Sequence, residues 1–199
     1  MDVMIDSGSF KHMVLSAIEV YNKETNGYIM GRMTTRRLNG RRGRVLLVKH
    51  SYVFQTDKRK PSEVMHGNIA ALKRVVGSLH PMGIKVVGGF HSHSHPFDTT
   101  RISKGDVEFI GGEIEMLHRS GFRKINKWLE IIISVKKKIY VTSHKKGWSV
   151  DDLQRGIKCI IKTDKHKGYS VSVSAYWVSF ERKRVTRKEA TIYIPLLLY

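Results

Sequence analysis

Ile84-Lys85-Val86-Val87-Gly88-Gly89-Phe90, running straight into His91-Ser92-His93-Ser94-His95-Pro96, is the stretch from which the fold of this chain reads outward. Its first part is a short run rich in β-branched residues, which predicts a buried strand. Gly88-Gly89 leaves the backbone room to bend before the histidines. Pro96 removes a backbone donor and favours leaving the sheet. Downstream, Ser103 caps a predicted helix with an apolar stripe of Val107, Ile110, Ile114 and Leu117, closed by Gly121. Upstream, Pro61-Ser62 opens a helix with Val64, Met65, Ile69, Leu72, Val76 and Leu79 at three- and four-residue spacing, ended by His80-Pro81-Met82-Gly83.

Further out, Ser9 is the expected cap of a first helix carrying Phe10, Val14, Ala17, Ile18 and Tyr21 on one face. Gly27 to Thr34 and Arg44 to Phe54 read as strands, joined by a basic loop in which five arginines surround Asn39-Gly40. Gln55 to Pro61 reads as a polar loop. Trp128 to Val135 and Ile139 to Ser143 read as strands around a Lys136-Lys137-Lys138 turn, Tyr169 to Trp177 as an alternating strand, and Ala190 to Leu197 as a last one. Lys145 to Gly168 has no clear pattern. This order of elements predicts an α+β domain, one sheet with helices packed on it. The expectation is a single domain over residues 1–199, with a basic extension of the core from about residue 147.

In an extended segment, residues two apart point the same way. His93 and His95 can thus face one point, and Asp106, one turn into the next helix, can turn its carboxylate back beside the Ser103 hydroxyl. Zinc takes neutral imidazole and carboxylate ligands, and a catalytic site uses three of them, leaving a position for water. His93, His95 and Asp106 are the expected ligands, with seven residues from His95 to Ser103 and two from Ser103 to Asp106. His91 continues the alternation. Added to the other three it closes the metal in a structural site; paired with His93 it lengthens the gap to Ser103 by two residues. Ser103-x-x-Asp106 also approaches a helix capping box, and cap and site do not exclude each other.

A water at such a metal needs a carboxylate within reach to take its proton. Glu24, before the strand Gly27-Tyr28-Ile29-Met30-Gly31, is the expected base, and Glu19 is its rival one turn earlier.

Glu24-Thr25-Asn26-Gly27-Tyr28-Ile29-Met30-Gly31 fits a Glu-x-x-Gly-x-x-x-Gly pattern, and His93-Ser94-His95-Pro96 is followed by Ser103 and Asp106. Together these segments resemble the MPN domain of JAMM zinc metalloproteases, in its metal-binding, catalytic branch. The resemblance runs loosely from Ser9 to the strand at Tyr169 to Trp177. It implies a single mixed sheet flanked by helices, of the cytidine-deaminase-like type, and hydrolysis of peptide or isopeptide bonds after the C-terminus of ubiquitin or a ubiquitin-like modifier. It further implies one zinc held by His93, His95 and Asp106, with Glu24 moving the proton to the leaving lysine amine and Ser103 donating to the oxyanion. The usual approach in that family is a strand ending Gly-x-x-His-x-His-Pro; here Gly88 to Pro96 carries two extra residues, as though a His-Ser unit were duplicated. Phe97 to Ile102 lacks the aromatic-glycine character of the ubiquitin-specific eukaryotic enzymes, which aligns the chain with prokaryotic-type members.

Charge points to partners. Lys and Arg number 36 against 17 Asp and Glu, a net charge of +19, so an acidic partner is expected: nucleic acid, anionic lipid or an acidic protein. A ubiquitin-like protein or its lysine conjugate is the expected substrate. The alternatives are a nucleic-acid-associated protein using the basic loop and tail, and a non-catalytic zinc module closed by His91. Cys159 stands alone, so no intramolecular disulfide forms, which fits a reducing compartment. Met1 to Phe10 has no apolar run like that of a signal peptide, and no stretch of about 18 apolar residues is present. The expectation is a cytoplasmic protein without a membrane segment.

Overall fold

Asp6, not Ser9, starts the first helix of the computed structural model. Its carboxylate accepts from the backbone N–H groups of Gly8 and Ser9, at 2.9 and 3.4 Å, so Ser9 lies inside the first turn. The structure describes residues 1–38, 40–55, 58–60, 63–94, 99–122, 125–138, 147–151, 155–163, 166–181 and 184–195. In chain order these form β1 (Asp2–Ile5), α1 (Ser7–Glu19), β2 (Asn26–Leu38), β3 (Arg41–Val53), β4 (Lys58–Lys60), β5 (Glu63–Met65), α2 (Ile69–Leu79) and β6 (Val86–His93). There follow α3 (Lys104–Arg119), β7 (Lys127–Lys138), β8 (Gly147–Val150), β9 (Gly156–Lys162), β10 (Gly168–Glu181), β11 (Arg184–Glu189) and β12 (Ile192–Tyr193).

The fold is α+β, with one large mixed sheet in the order β12-β1-β3-β2-β6-β7-β10-β9-β8, with β11 paired to β10. The β1–β12, β1–β3 and β6–β7 pairs are parallel, and the other pairs of this sheet are antiparallel. Alternation along β2 shows how the sheet is covered. Ile29 joins the apolar cluster containing Phe10, Met13, Val14 and Ala17 of α1. Its neighbours Tyr28 and Met30 join the cluster containing Leu72 and Val76 of α2 and Ile110 and Leu117 of α3. One helix thus packs on one face and two on the other, because successive strand residues point to opposite faces.

Several expectations are corrected. The second helix begins at Ile69, capped by Asn68, whose side chain accepts from the Ala71 N–H at 2.9 Å. Val64 and Met65 belong instead to a two-stranded ribbon in which β5 pairs with β4, inside the span read as loop and helix. Lys136, Lys137 and Lys138 are not a turn: they continue β7 and pair with Ser170, Tyr169 and Gly168 of β10. Ile139 to Ser143 lies outside the described residues. The last strand is confined to Ile192–Tyr193, and Leu196 and Leu197 lie outside the described residues. The residues after 147 supply β8 to β12, and β10 lies between β7 and β9, with Val171, Val173 and Ala175 in the core.

Candidate metal centre

Strand β6 carries the histidines inside the sheet. His91 pairs with Asn26 of β2 on one side and Ile132 of β7 on the other, and His93 pairs with Ser134. Being two residues apart on one strand, His91 and His93 share a face. Ser92 points the other way: its hydroxyl accepts from the Thr25 N–H at 3.0 Å, and its own N–H donates to the Thr25 carbonyl at 2.8 Å. Glu24, the residue before Thr25, lies close enough to His93 and His91 to feel the charge of both. The Glu24 N–H donates to the Lys60 carbonyl at 2.8 Å, so the β4–β5 ribbon abuts the same spot.

Helix α3 brings the carboxylate. Ser103 and Asp106 form a capping box: the Asp106 N–H donates to Ser103 Oγ at 3.1 Å, and the Ser103 N–H donates to Asp106 Oδ2 at 2.6 Å. The cap uses one carboxylate oxygen and leaves the other for the site. Asp106 Oδ1 lies 3.5 Å from His91 Nε2 and 3.9 Å from His93 Nε2. The C-terminal segment braces this loop. Arg187 of β11 donates to the carbonyls of Ile102 and Ser103, at 3.5 and 3.4 Å, and the Thr100 and Ser174 hydroxyls meet at 3.0 Å.

The outward-facing nitrogens of both imidazoles are committed. His91 Nδ1 sits 2.7 Å from Glu130 Oε1, and His93 Nδ1 sits 2.7 Å from the Thr99 carbonyl. A carbonyl only accepts, as does an ionised carboxylate, so both Nδ1 atoms carry hydrogen. In the neutral rings both Nε2 atoms then present lone pairs, and these face each other at 3.0 Å. Two lone pairs at that distance repel unless a proton or a cation lies between them. A tetrahedral zinc with nitrogens at about 2.0–2.1 Å spaces them by about 3.3 Å, close to the separation seen. The ligand atoms of His91, His93 and Asp106 all lie within 4.8 Å of one another, so these residues fit a metal ion. Glu130 is itself pinned: it is 4% exposed, and its second oxygen accepts from Trp128 Nε1–H at 2.6 Å. A buried carboxylate behind a ligating histidine fixes its tautomer and raises its basicity.

The electrostatics agree with the geometry. Burial disfavours charged His91, but the hydrogen bond and charge of Glu130, with Asp106 and Glu24, outweigh it and hold the imidazole above its ordinary value. Burial likewise raises the Asp106 carboxyl, yet the neighbouring His93 and His91 imidazoles and the hydrogen bonds of the Ser103 cap pull it well below the usual carboxylate range. Glu24 goes the opposite way. Burial pushes its carboxyl up to about 7, opposed by His93 and His91 and reinforced by Asp106 and Glu63. It is a carboxylate beside the histidines that holds its proton near neutrality.

The structure therefore brings together Glu24, His93, Ser103 and Asp106, and adds His91 as the second imidazole. His95, expected as a ligand, lies outside the described residues. Glu19, the rival base, is exposed at the end of α1. Sequence reasoning missed Glu130 and the Thr99 carbonyl. Glu130 had one signal, a lone carboxylate amid Trp128, Leu129, Ile131 and Ile132. The Thr99 carbonyl had none, because a backbone acceptor carries no residue type.

No family model matches the chain, and no curated protein does. Among solved structures it is similar to the solution structure of protein DSY2949 from Desulfitobacterium hafniense, at 16% identity and a TM-score of 0.49, over 96% of this chain and 92% of that one.

Proposed function

We propose that this chain is a zinc-dependent hydrolase of the MPN/JAMM type, cleaving the peptide or isopeptide bond that follows the C-terminus of a ubiquitin or ubiquitin-like modifier. The observation that carries the reading is the pair of imidazole Nε2 atoms 3.0 Å apart beside Asp106, next to a carboxyl raised to about 7. The substrate class rests on the resemblance of the Glu24 to Gly31 and His-x-His to Asp106 segments. With His91 and His93 as the pair, Gly88-Gly89-Phe90-His91-Ser92-His93 keeps the Gly-x-x-His-x-His approach, and the two extra residues fall after the ligands.

His91, His93 and Asp106 would hold the zinc, which when bound supplies a Lewis acid for the scissile carbonyl and lowers the pKa of water. The remaining chemistry belongs to the chain. A carboxyl titrating near neutrality can accept a proton from water and return it to a departing amine, because both its forms are populated at working pH. Burial of Glu24 supplies that poise. The Ser103 hydroxyl accepts from the Asp106 N–H and keeps its own hydrogen to donate, which suits it to a carbonyl oxygen gathering negative charge. Glu130 and Thr99 hold the two imidazoles in the tautomer that presents Nε2.

The test is cleavage of ubiquitin–lysine and ubiquitin-like–lysine conjugates by purified protein, with metal content measured alongside. The expected result is one zinc per chain and cleavage that stops with chelator. Glu24→Gln should retain zinc and lose at least about a hundredfold in rate, the scale of a general base. Cleavage by the Gln variant at the parental rate would remove Glu24 from the role.

A further inference from the structure

Strands β2 and β3 outrun the sheet that contains them. Pairing of β2 with β6 ends at Met30, and pairing of β3 with β1 begins at Val45. Beyond those points Thr35 to Leu38 and Arg41 to Arg44 pair with each other and with no other described strand, a projecting two-stranded ribbon turned at Gly40 with φ +79°. Between Gly31 and Lys49 the sequence has no Asp, Glu, Phe, Tyr or Trp. Five arginines occupy the ribbon, Arg36, Arg37, Arg41, Arg42 and Arg44, a sixth, Arg32, lies at its base, and all six are exposed.

The register distributes them over both faces. Arg37 is directly opposite Arg42, and Arg44 lies opposite Thr35 on that same face. Arg41 opposite Leu38, Arg36 opposite Gly43, and Arg32 opposite Leu47 lie on the other. Like charges facing each other across a strand pair destabilise it. None of the six forms an ion pair with a described residue. The ribbon therefore concentrates guanidinium groups that have no ion-pair partner among the described residues; Arg37 Nε–H donates to the Gly40 carbonyl at 3.0 Å and braces the turn. At its base, Arg32, Arg44, Lys85 and Lys127 rim a cleft of about 1110 Å³, extending the positive field onto the body.

We propose that this ribbon docks on B-form duplex DNA, its arginines contacting phosphates from both faces. The major groove of B-DNA, about 12 Å wide, admits a two-stranded ribbon, whereas that of A-form RNA is too narrow for side chains to read. Guanidinium forks match phosphate oxygens. The absence of aromatic residues removes the stacking platform that single strands require. An acidic protein is the lesser fit, because a ribbon charged on both faces needs negative charge on two facing walls, which a DNA groove presents. The ribbon tip is about 40 Å along β2 from the metal centre by strand rise, so this surface is independent of the hydrolytic reading.

Fluorescence anisotropy with a short labelled DNA duplex, titrated from low to physiological salt, tests it. The triple variant Arg37→Glu, Arg42→Glu, Arg44→Glu should weaken duplex binding at least about tenfold and flatten the salt dependence by about two to three contacts. A control triple, Lys11→Glu, Lys73→Glu, Lys158→Glu, removes the same charge from exposed sites elsewhere and should change affinity less than about threefold. Matching thermal melts show that each variant is folded, and a milder Arg→Gln triple repeats the measurement should the first melt early. Equal losses in ribbon and control variants, or equal binding of single-stranded DNA or duplex RNA, would overturn the proposal. Duplex binding that survives both ribbon triples would do so as well.

Discussion

His91 owes its orientation in the candidate metal centre to Glu130. By alternation alone His91, His93 and His95 can share one face of an extended segment, and the seven-residue gap to Ser103 favours His93 and His95. In the structure Glu130 takes the Nδ1 hydrogen of His91, with Trp128 holding the carboxylate from behind. Glu130→Gln keeps the shape and removes the charge. Zinc affinity of the folded variant, measured by competition with a chromophoric chelator, should fall about ten- to a hundredfold. An unchanged affinity would mean that His91 is oriented by packing alone. Glu24 was legible as a residue, since it opens the Glu-x-x-Gly pattern, but its raised pKa was not. Burial depends on what the β4–β5 ribbon and β6 bring against it, and none of that is local in sequence.

Gly88 is where the elements of the site lock together. A Cβ on it would sit 1.8 Å from the Leu129 carbonyl oxygen, in the parallel β6–β7 pair that carries both histidines and Glu130. Gly88→Ala must push the two strands apart. It should cost about 3 kcal/mol or more, on the upper side of overpacking penalties, and lower the melting temperature by roughly 6 °C or more. Gly112 of α3 is the paired control, because a Cβ there meets nothing within 4 Å. Gly112→Ala should be neutral or stabilising by up to about 1 kcal/mol. Melts that do not separate the two variants would contradict the close approach at Gly88. Elements with a clear period were legible: the stripe of α3 is buried at Val107, Ile110, Ile114 and Leu117. The start of α2 was not. Val64 and Met65 fit a helical spacing, but pairing with Lys58 to Lys60 placed them in a ribbon, and tertiary partners override local preference over such short runs.

At the scale of the whole molecule, the C-terminal segment belongs to the sheet. β10 pairs with β7 from Gly168 to Ser179 and contributes Val171, Val173, Ala175 and Trp177 to the core. It also ties the ends of the chain together, since Trp177 Nε1–H donates to the Met1 carbonyl at 2.8 Å. A chain ended after residue 146 would leave one edge of β7 unpaired and lose Val171, Val173, Ala175 and Trp177 from the core. It should show no cooperative thermal transition by circular dichroism. A sharp melt in that shortened chain would show that the first 146 residues fold by themselves. The two charged regions also divide at this scale, with the candidate metal centre at one end of β2 and the arginine ribbon at the other.

What the sequence by itself determined is the chemistry at hand and its local frame: an apolar strand entering histidines, Ser103 and Asp106 at the head of a helix, a carboxylate before a central strand, and a cluster of arginines, read as a loop, between two strands. Those follow from residue type, from periods of two and 3.6, and from caps, all of which act within a few residues. Tertiary structure alone decided that β6 runs on through His93, that His91 joins the site, that Glu130 stands behind it, and that the tail completes the sheet. Each of these depends on a partner strand distant in the chain. The cost of bringing such partners together is met by burying the whole core, and no single segment records it.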